Sequence, residues 1–142
     1  MNEETLFQIL DGIEYGEVES KLSYLNRLND LIEFKQLNLQ DTADAIEKLI
    51  AIVLYETNTE IFREIFRAIE NLFLYNSAVN VSLQPLIDEM EHDESILANT
   101  LLILPFTSKN EYIVLAELYL NHQNELVRKN AAYALKYLKG TR

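Results

Sequence analysis

The 142-residue chain is 49% hydrophobic and 25% charged, with three glycines, two prolines and no cysteine. That composition is globular; it excludes disulfide scaffolds, zinc knuckles, iron–sulfur sites and cysteine nucleophiles, and it argues against collagen-like, linker-like and turn-dense all-β classes. Against 12 bases stand 23 acids, for a formal net charge of −11, and residues 1–70 hold 15 of the acids and 6 of the bases; such a surface repels phosphate backbones and attracts a basic partner.

The length suits one domain with a real core, residues 1–142. The opening MNEETLFQIL carries acids where a secretory signal carries bases, and no apolar run approaches the roughly 18 residues of a membrane span. The expectation is a soluble, cytoplasmic protein.

In chain order, residues 3–11 form a short amphipathic helix with Leu6, Phe7 and Leu10 on one side, after which Gly12 and Gly16 bracket a turn around Tyr15. Residues 17–35 keep Val18, Leu22, Leu25, Leu28, Leu31 and Ile32 in helical register. Asn38 caps the third helix, whose first turn holds Asp41 and Asp44 and whose second half, Ile46 to Leu54, is nearly continuous apolar sequence. Asn58 or Thr59 caps a helix to about Tyr75 with the widest apolar face of the chain: Ile61, Phe62, Ile65, Phe66, Ile69, Leu72 and Phe73. A short helix follows over 83–90, with Pro85 tolerated in its first turn. Asp93 caps a helix over 94–104 that Pro105 ends, and Asn110 caps one to about Leu120. The last helix, 124–138, has a stripe of Leu126, Val127, Ala131, Ala134, Leu135 and Leu138, and its alanines imply close packing. Eight helices and no strand are predicted.

Three turns are followed by related segments, Glu60-Ile61-Phe62-Arg63, Glu94-Ser95-Ile96-Leu97 and Glu125-Leu126-Val127-Arg128. Aligning Phe62, Ile96 and Val127 gives intervals of 34 and 31 residues, near the period of helix-pair repeats. The last copy, NELVRKNAAYALKYL, resembles the second helix of a HEAT repeat, in which an acid precedes Val-Arg and then Ala-Ala and Ala-Leu. The resemblance is closest over 124–138, partial over 58–73 and slight elsewhere, and the middle copy lacks the arginine. It implies an all-α, HEAT-like solenoid of four helix pairs (3–11 with 17–35, 39–55 with 59–75, 83–90 with 94–104, 110–120 with 124–138), the alternative being a compact multi-helix bundle. It also implies a structural role for Arg63 and Arg128, hydrogen-bonded across a turn to a neighbouring repeat.

The only histidines, His92 and His122, fall in predicted turns with no motif around them, and the acid runs lack the glycine and spacing of a calcium loop. No phosphate loop, dinucleotide fingerprint or catalytic carboxylate pair is present, so neither an enzyme, a cofactor nor a metal is expected. Tyrosine joins a large contact area to a polar tip. Of the eight, Tyr133 and Tyr137 lie off the alanine stripe, while Tyr15, Tyr55 and Tyr75 sit near helix ends. The expected function is an acidic protein-binding module, such as an immunity protein that covers a basic nuclease toxin without binding nucleic acid itself. Glu56, Glu60, Asp88, Glu91, Asp93, Glu94, Tyr133 and Tyr137 are the expected contact residues. The alternatives are a HEAT-like enzyme of the DNA glycosylase type, which would need a basic groove, and an assembly or scaffold subunit.

Overall fold

Thr5 opens the first helix of the structure, a computed structural model that describes residues 5–34, 37–107 and 109–140. The described residues form α-helices and one short 3-10 turn, with no strand. Contacts divide the chain into two compact units, Met1–Val81 and Ser82–Arg142.

In the first unit, α1 (Leu6–Tyr15) is held by a capping box: the Thr5 hydroxyl accepts from the Gln8 N–H and the Gln8 side chain accepts from the Thr5 N–H. The helix runs straight through Gly12, which the sequence suggested as a turn residue, and stops only at Gly16. The extra turn brings Ile9, Leu10 and Ile13 into the core, leaving Leu6 half-buried and Phe7 68% exposed, against the expectation for both. Gly12 is needed for close approach, because a Cβ there would lie 2.2–2.5 Å from three ring atoms of Tyr24. Helix α2 (Val18–Glu33) buries Leu25, Leu28 and Ile32, but Val18, in its first turn, is exposed.

Asn38 caps α3 (Leu39–Val53) by accepting from the Asp41 N–H, and Asn58 caps α4 (Thr59–Tyr75) by accepting from the Ile61 N–H. The apolar runs of both bury largely as expected, but Leu54 and Phe62 are only half-buried and Ala51 is exposed, while Ile61 is fully enclosed. Helix α1 packs on α2 and α3, and α4 packs on α2 and α3. Fully enclosing this many Ile, Leu and Phe side chains, at about 1.5–3 kcal/mol each, is what sets the four helices against one another.

In the second unit, α5 (Gln84–Met90) carries Pro85 in its first turn, and Asp93 caps α6 (Glu94–Ile103) by accepting from the Ser95 and Ile96 N–H groups. The α-helix ends at Ile103, just ahead of Pro105, as expected. Pro105 sits inside a 3-10 turn, Leu104–Thr107, that follows α6, where its missing N–H costs no α-helical bond. Asn110 is not the cap of α7 (Asn110–Glu117) but its first helical residue, and the helix ends three residues before Leu120. Asn124 caps α8 (Glu125–Gly140) by accepting from the Leu126 and Val127 N–H groups. Helix α6 packs on α5 and α8, and α7 on α8. Val127, Ala131, Ala134, Leu135 and Leu138 are buried as expected, whereas Leu126 and Ala132 face outward.

The three Asx caps set the register of the related segments. They place Ile61, rather than Phe62, in the position of Ile96 and Val127, so the first interval is 35 residues and Arg63 falls one position past Arg128. Arg63 is exposed, while Arg128 Nη1 donates to the carbonyls of His122 and Gln123 at 2.7 and 3.0 Å and ties down the turn before its own helix.

Candidate protein-interaction surfaces

The eight residues singled out from the sequence do not form one patch. Glu56 turns inward: its side chain is 6% exposed, its Oε1 lies 2.8 Å from Lys21 Nζ, and its Oε2 accepts from the Asn58 N–H at 3.0 Å. Burial pushes the Glu56 carboxyl up, but the hydrogen bonds from Lys21 and from the Asn58 and Thr57 N–H groups outweigh it and hold the group below its ordinary value. This carboxylate closes the α3–α4 turn onto α2. Glu60, one turn on, is exposed at the α4 N-terminus, where its charge suits the helix dipole.

The other four acids crowd the α5–α6 turn. Asp88 accepts from Gln84 Nε2 at 2.7 Å, Asp93 caps α6, and Glu94 accepts from Asn124 Nδ2 at 2.8 Å, so the turns that lead into α6 and α8 are joined side chain to side chain. Glu91 is exposed, and its charge reaches Tyr119, whose hydroxyl is pushed up first by burial and then by that carboxylate. Glu89 completes the run. All five acids are exposed, and no base among the described residues forms an ion pair with any of them. The neighbouring His122 is a turn residue: its Nδ1 accepts from the Asn124 N–H at 3.0 Å.

Tyr133 and Tyr137 do come together, with ring centroids 4.6 Å apart, each a little under half exposed. Their company is basic, however. Lys136 Nζ lies 5.7 Å from the Tyr137 ring centroid, and Lys129 is exposed one turn earlier. At 1.5 Å per residue, Tyr133 and Tyr137 stand about 14 and 20 Å along the helix axis from the Asn124–Glu94 bond, beyond the reach of the acids there.

The most exposed tyrosines are two the sequence left aside: Tyr15 at 78% and Tyr55 at 86%. Tyr15 is the last residue of α1 and Tyr55 lies two residues past the end of α3, and the only available signal was that position near a helix end. Beside Tyr55 lies a cleft of about 90 Å³ lined by Glu14, Lys21, Ala51, Ile52, Tyr55 and Glu56. That is well short of the roughly 300 Å³ of a small-molecule site. Within it Lys21 pairs with Glu56 at 2.8 Å, and the lining Glu14 pairs with Lys48 at 2.6 Å, their mutual hydrogen bond holding Glu14 down and Lys48 up. Tyr15 itself lines an open groove with Gln8, Asp11, Gly12, Gly16, Ser20 and Tyr24. Tyr75 is anchored instead, its hydroxyl donating to the Leu37 carbonyl at 2.9 Å.

Among the described residues no cluster of three or more His, Cys, Asp or Glu side chains is arranged to hold a metal ion, and no helix is long and apolar enough to cross a membrane. In comparisons with known proteins, the chain matches no family model, no curated protein sequence and no solved structure.

Proposed function

We propose that the chain is a non-catalytic, acidic protein-binding module built from HEAT-like helix hairpins. Its partner is a basic protein whose active or nucleic-acid-binding surface it covers, as an immunity protein covers a nuclease toxin. The observation that carries this reading is the α5–α6 turn, where Asp88, Glu89, Glu91, Asp93 and Glu94 are all exposed within seven residues with no base paired to them. Uncompensated charge of one sign steers a partner of the opposite sign and fixes the orientation of its approach.

The hairpin reading is supported by the recurring Asx cap before Ile61, Ile96 and Val127, and by the packing of second helices on one another, α2 on α4 and α6 on α8. The polar links between successive turns, Lys21–Glu56 and Asn124–Glu94, favour it as well, because in-register stacked hairpins bring equivalent turns side by side.

The test is capture of partners from the native cell on the immobilised protein, followed by titration of the purified partner. A basic protein should bind at about 50 mM salt and release at about 0.5 M, as screening shortens the reach of the acids. The variant D88N/E89Q/E91Q/E94Q, which leaves the Asp93 cap intact, should weaken it by about tenfold or more. A partner indifferent to salt and to these substitutions overturns the proposal. If the partner is a nuclease, stoichiometric loss of its activity supports the inhibitor reading; binding with full activity retained refutes it.

A further inference from the structure

Two helices carry exposed aromatic ridges of opposite charge. On α8, Lys129, Tyr133 and Tyr137 stand four residues apart, with Lys136 against the Tyr137 ring. Helix α8 holds four bases and one acid, whereas the rest of the chain holds eight bases and 22 acids. On α1 the same spacing presents Phe7, Asp11 and Tyr15, with the two rings 68% and 78% exposed. Beside that ridge runs the groove lined by Gly12, Gly16 and Tyr24, and Glu17 and Glu19 stand exposed just beyond it. The base whose charge reaches Asp11 is Lys48, already held by Glu14 at 2.6 Å.

We propose that these are the two halves of one contact: the basic, tyrosine-bearing face of α8 in one copy of the chain docks on the acidic, aromatic face of α1 in a second copy. Both ridges follow the i, i+4 row, the row that interdigitates in the commonest helix–helix packing. The Tyr24 ring already covers Gly12 in that groove, so the facing ridge meets the rings of Phe7, Tyr15 and Tyr24. Charge decides the orientation. Pairing α8 with α8 sets Lys129 and Lys136 against their own copies, and pairing α1 with α1 sets Asp11 against Asp11, so neither two-fold arrangement is favourable. The favourable contact therefore joins α8 of one copy to α1 of another. A surface one short helix long lies at the small end of protein interfaces, so association belongs to high micromolar concentration. The proposal is independent of the basic-partner reading, which uses the α5–α6 turn.

The experiment is sedimentation velocity on the full chain at roughly 10 to 500 μM and at about 0.1 and 0.5 M salt. Two charge-reversed variants accompany it, K129E/K136E on α8 and Q8K/D11K on α1, with circular dichroism to confirm that each folds. The native chain should show a weight-average mass that rises above the monomer with concentration and falls at high salt. Each variant alone should associate about tenfold more weakly or not at all, and their equimolar mixture should recover association. A native chain that stays monomeric throughout, or assembly that both variants leave unchanged, overturns the proposal. So does a mixture that fails to recover association when each variant alone is folded and monomeric.

Discussion

Gly12→Ala should destabilise the protein even though alanine is the better helix former. Gly12 lies inside α1, where replacing glycine by alanine is favourable by about 0.8–1 kcal/mol. Against that, the new Cβ would sit 2.2, 2.3 and 2.5 Å from Cδ2, Cε2 and Cγ of Tyr24, whereas carbon atoms rest at about 3.5–4 Å. Because Cγ is among the three, a twist of the ring's far edge does not relieve the contact; the whole ring must retreat by more than about 1 Å. Retreat also disturbs the Arg27 guanidinium, 4.9 Å from the ring centroid, a stacking worth about 0.5–1 kcal/mol at an exposed site. Overpacking of this kind costs about 1–3 kcal/mol, so the net loss is about 1–2 kcal/mol after the gain in helix propensity. In a Tyr24→Ala background the obstacle is gone, and the same substitution should stabilise by about 1 kcal/mol. Urea denaturation of the four proteins of this cycle, followed by circular dichroism, measures the coupling directly. If Gly12→Ala raises stability equally in both backgrounds, Tyr24 does not lie on the α1 backbone and the packing of α1 on α2 described above is wrong.

Three further outcomes follow from the packing and the polar links. Ala131→Leu, at a fully enclosed position of α8, should cost about 1–3 kcal/mol by overpacking, while Ala132→Leu, at the exposed next residue, should change stability by less than about 0.5 kcal/mol; equal effects in thermal denaturation would overturn the face assignment. Asn124→Ala removes the cap of α8 together with the bond to Glu94 and should cost about 1–2 kcal/mol, whereas a loss no greater than that of Asn121→Ala, at an exposed residue of the same turn, would remove the cap from the account. Glu56 has a folded-state pKa held below the ordinary 4.5, so its contribution is present above that pH and is lost as the pH falls through the lower, folded value. Stability measured from about pH 6 down to pH 3 should therefore fall less steeply for Glu56→Gln than for the native chain, and parallel curves would mean that the Lys21 pair gives no stability.

Helix identity was legible wherever the period was long and the cap was an Asx residue. Asn38, Asn58, Asp93 and Asn124 are all caps, and the buried stripes of α3, α4 and α8 follow the apolar spacing. The misreadings share one cause: local signals that tertiary contact overrides. Gly12 looked like punctuation because its role depends on Tyr24, twelve residues away, whereas Pro105 does stand just past the end of α6, in a 3-10 turn. Phe62 looked central because a period cannot tell the middle of an apolar stripe from its edge, and only the Asn58 cap resolves the one-residue difference from Ile61. The candidate surface was harder. Exposed acids at the α5–α6 turn follow from sequence, but Glu56 carries the same charge at a similar turn and is consumed by Lys21, a partner 35 residues away in another helix.

Net charge alone therefore misdescribes how this protein meets others. At −11 it attracts bases from a distance, yet at physiological ionic strength the reach of an exposed charge is about 8 Å. The tyrosines of α8 stand about 14 and 20 Å along the axis from the acids at its N-terminus, so a molecule seated on Tyr133 and Tyr137 feels Lys129 and Lys136 far more than the acidic average. The two ends of one helix thus present opposite charge: acids at the capped turn, bases along the tyrosine face. A single partner of uniform charge cannot satisfy both. It follows that substitutions at Asp88 to Glu94 and substitutions at Lys129 and Lys136 should act on different binding events, and that their effects should add without coupling if both events are measured in the same protein.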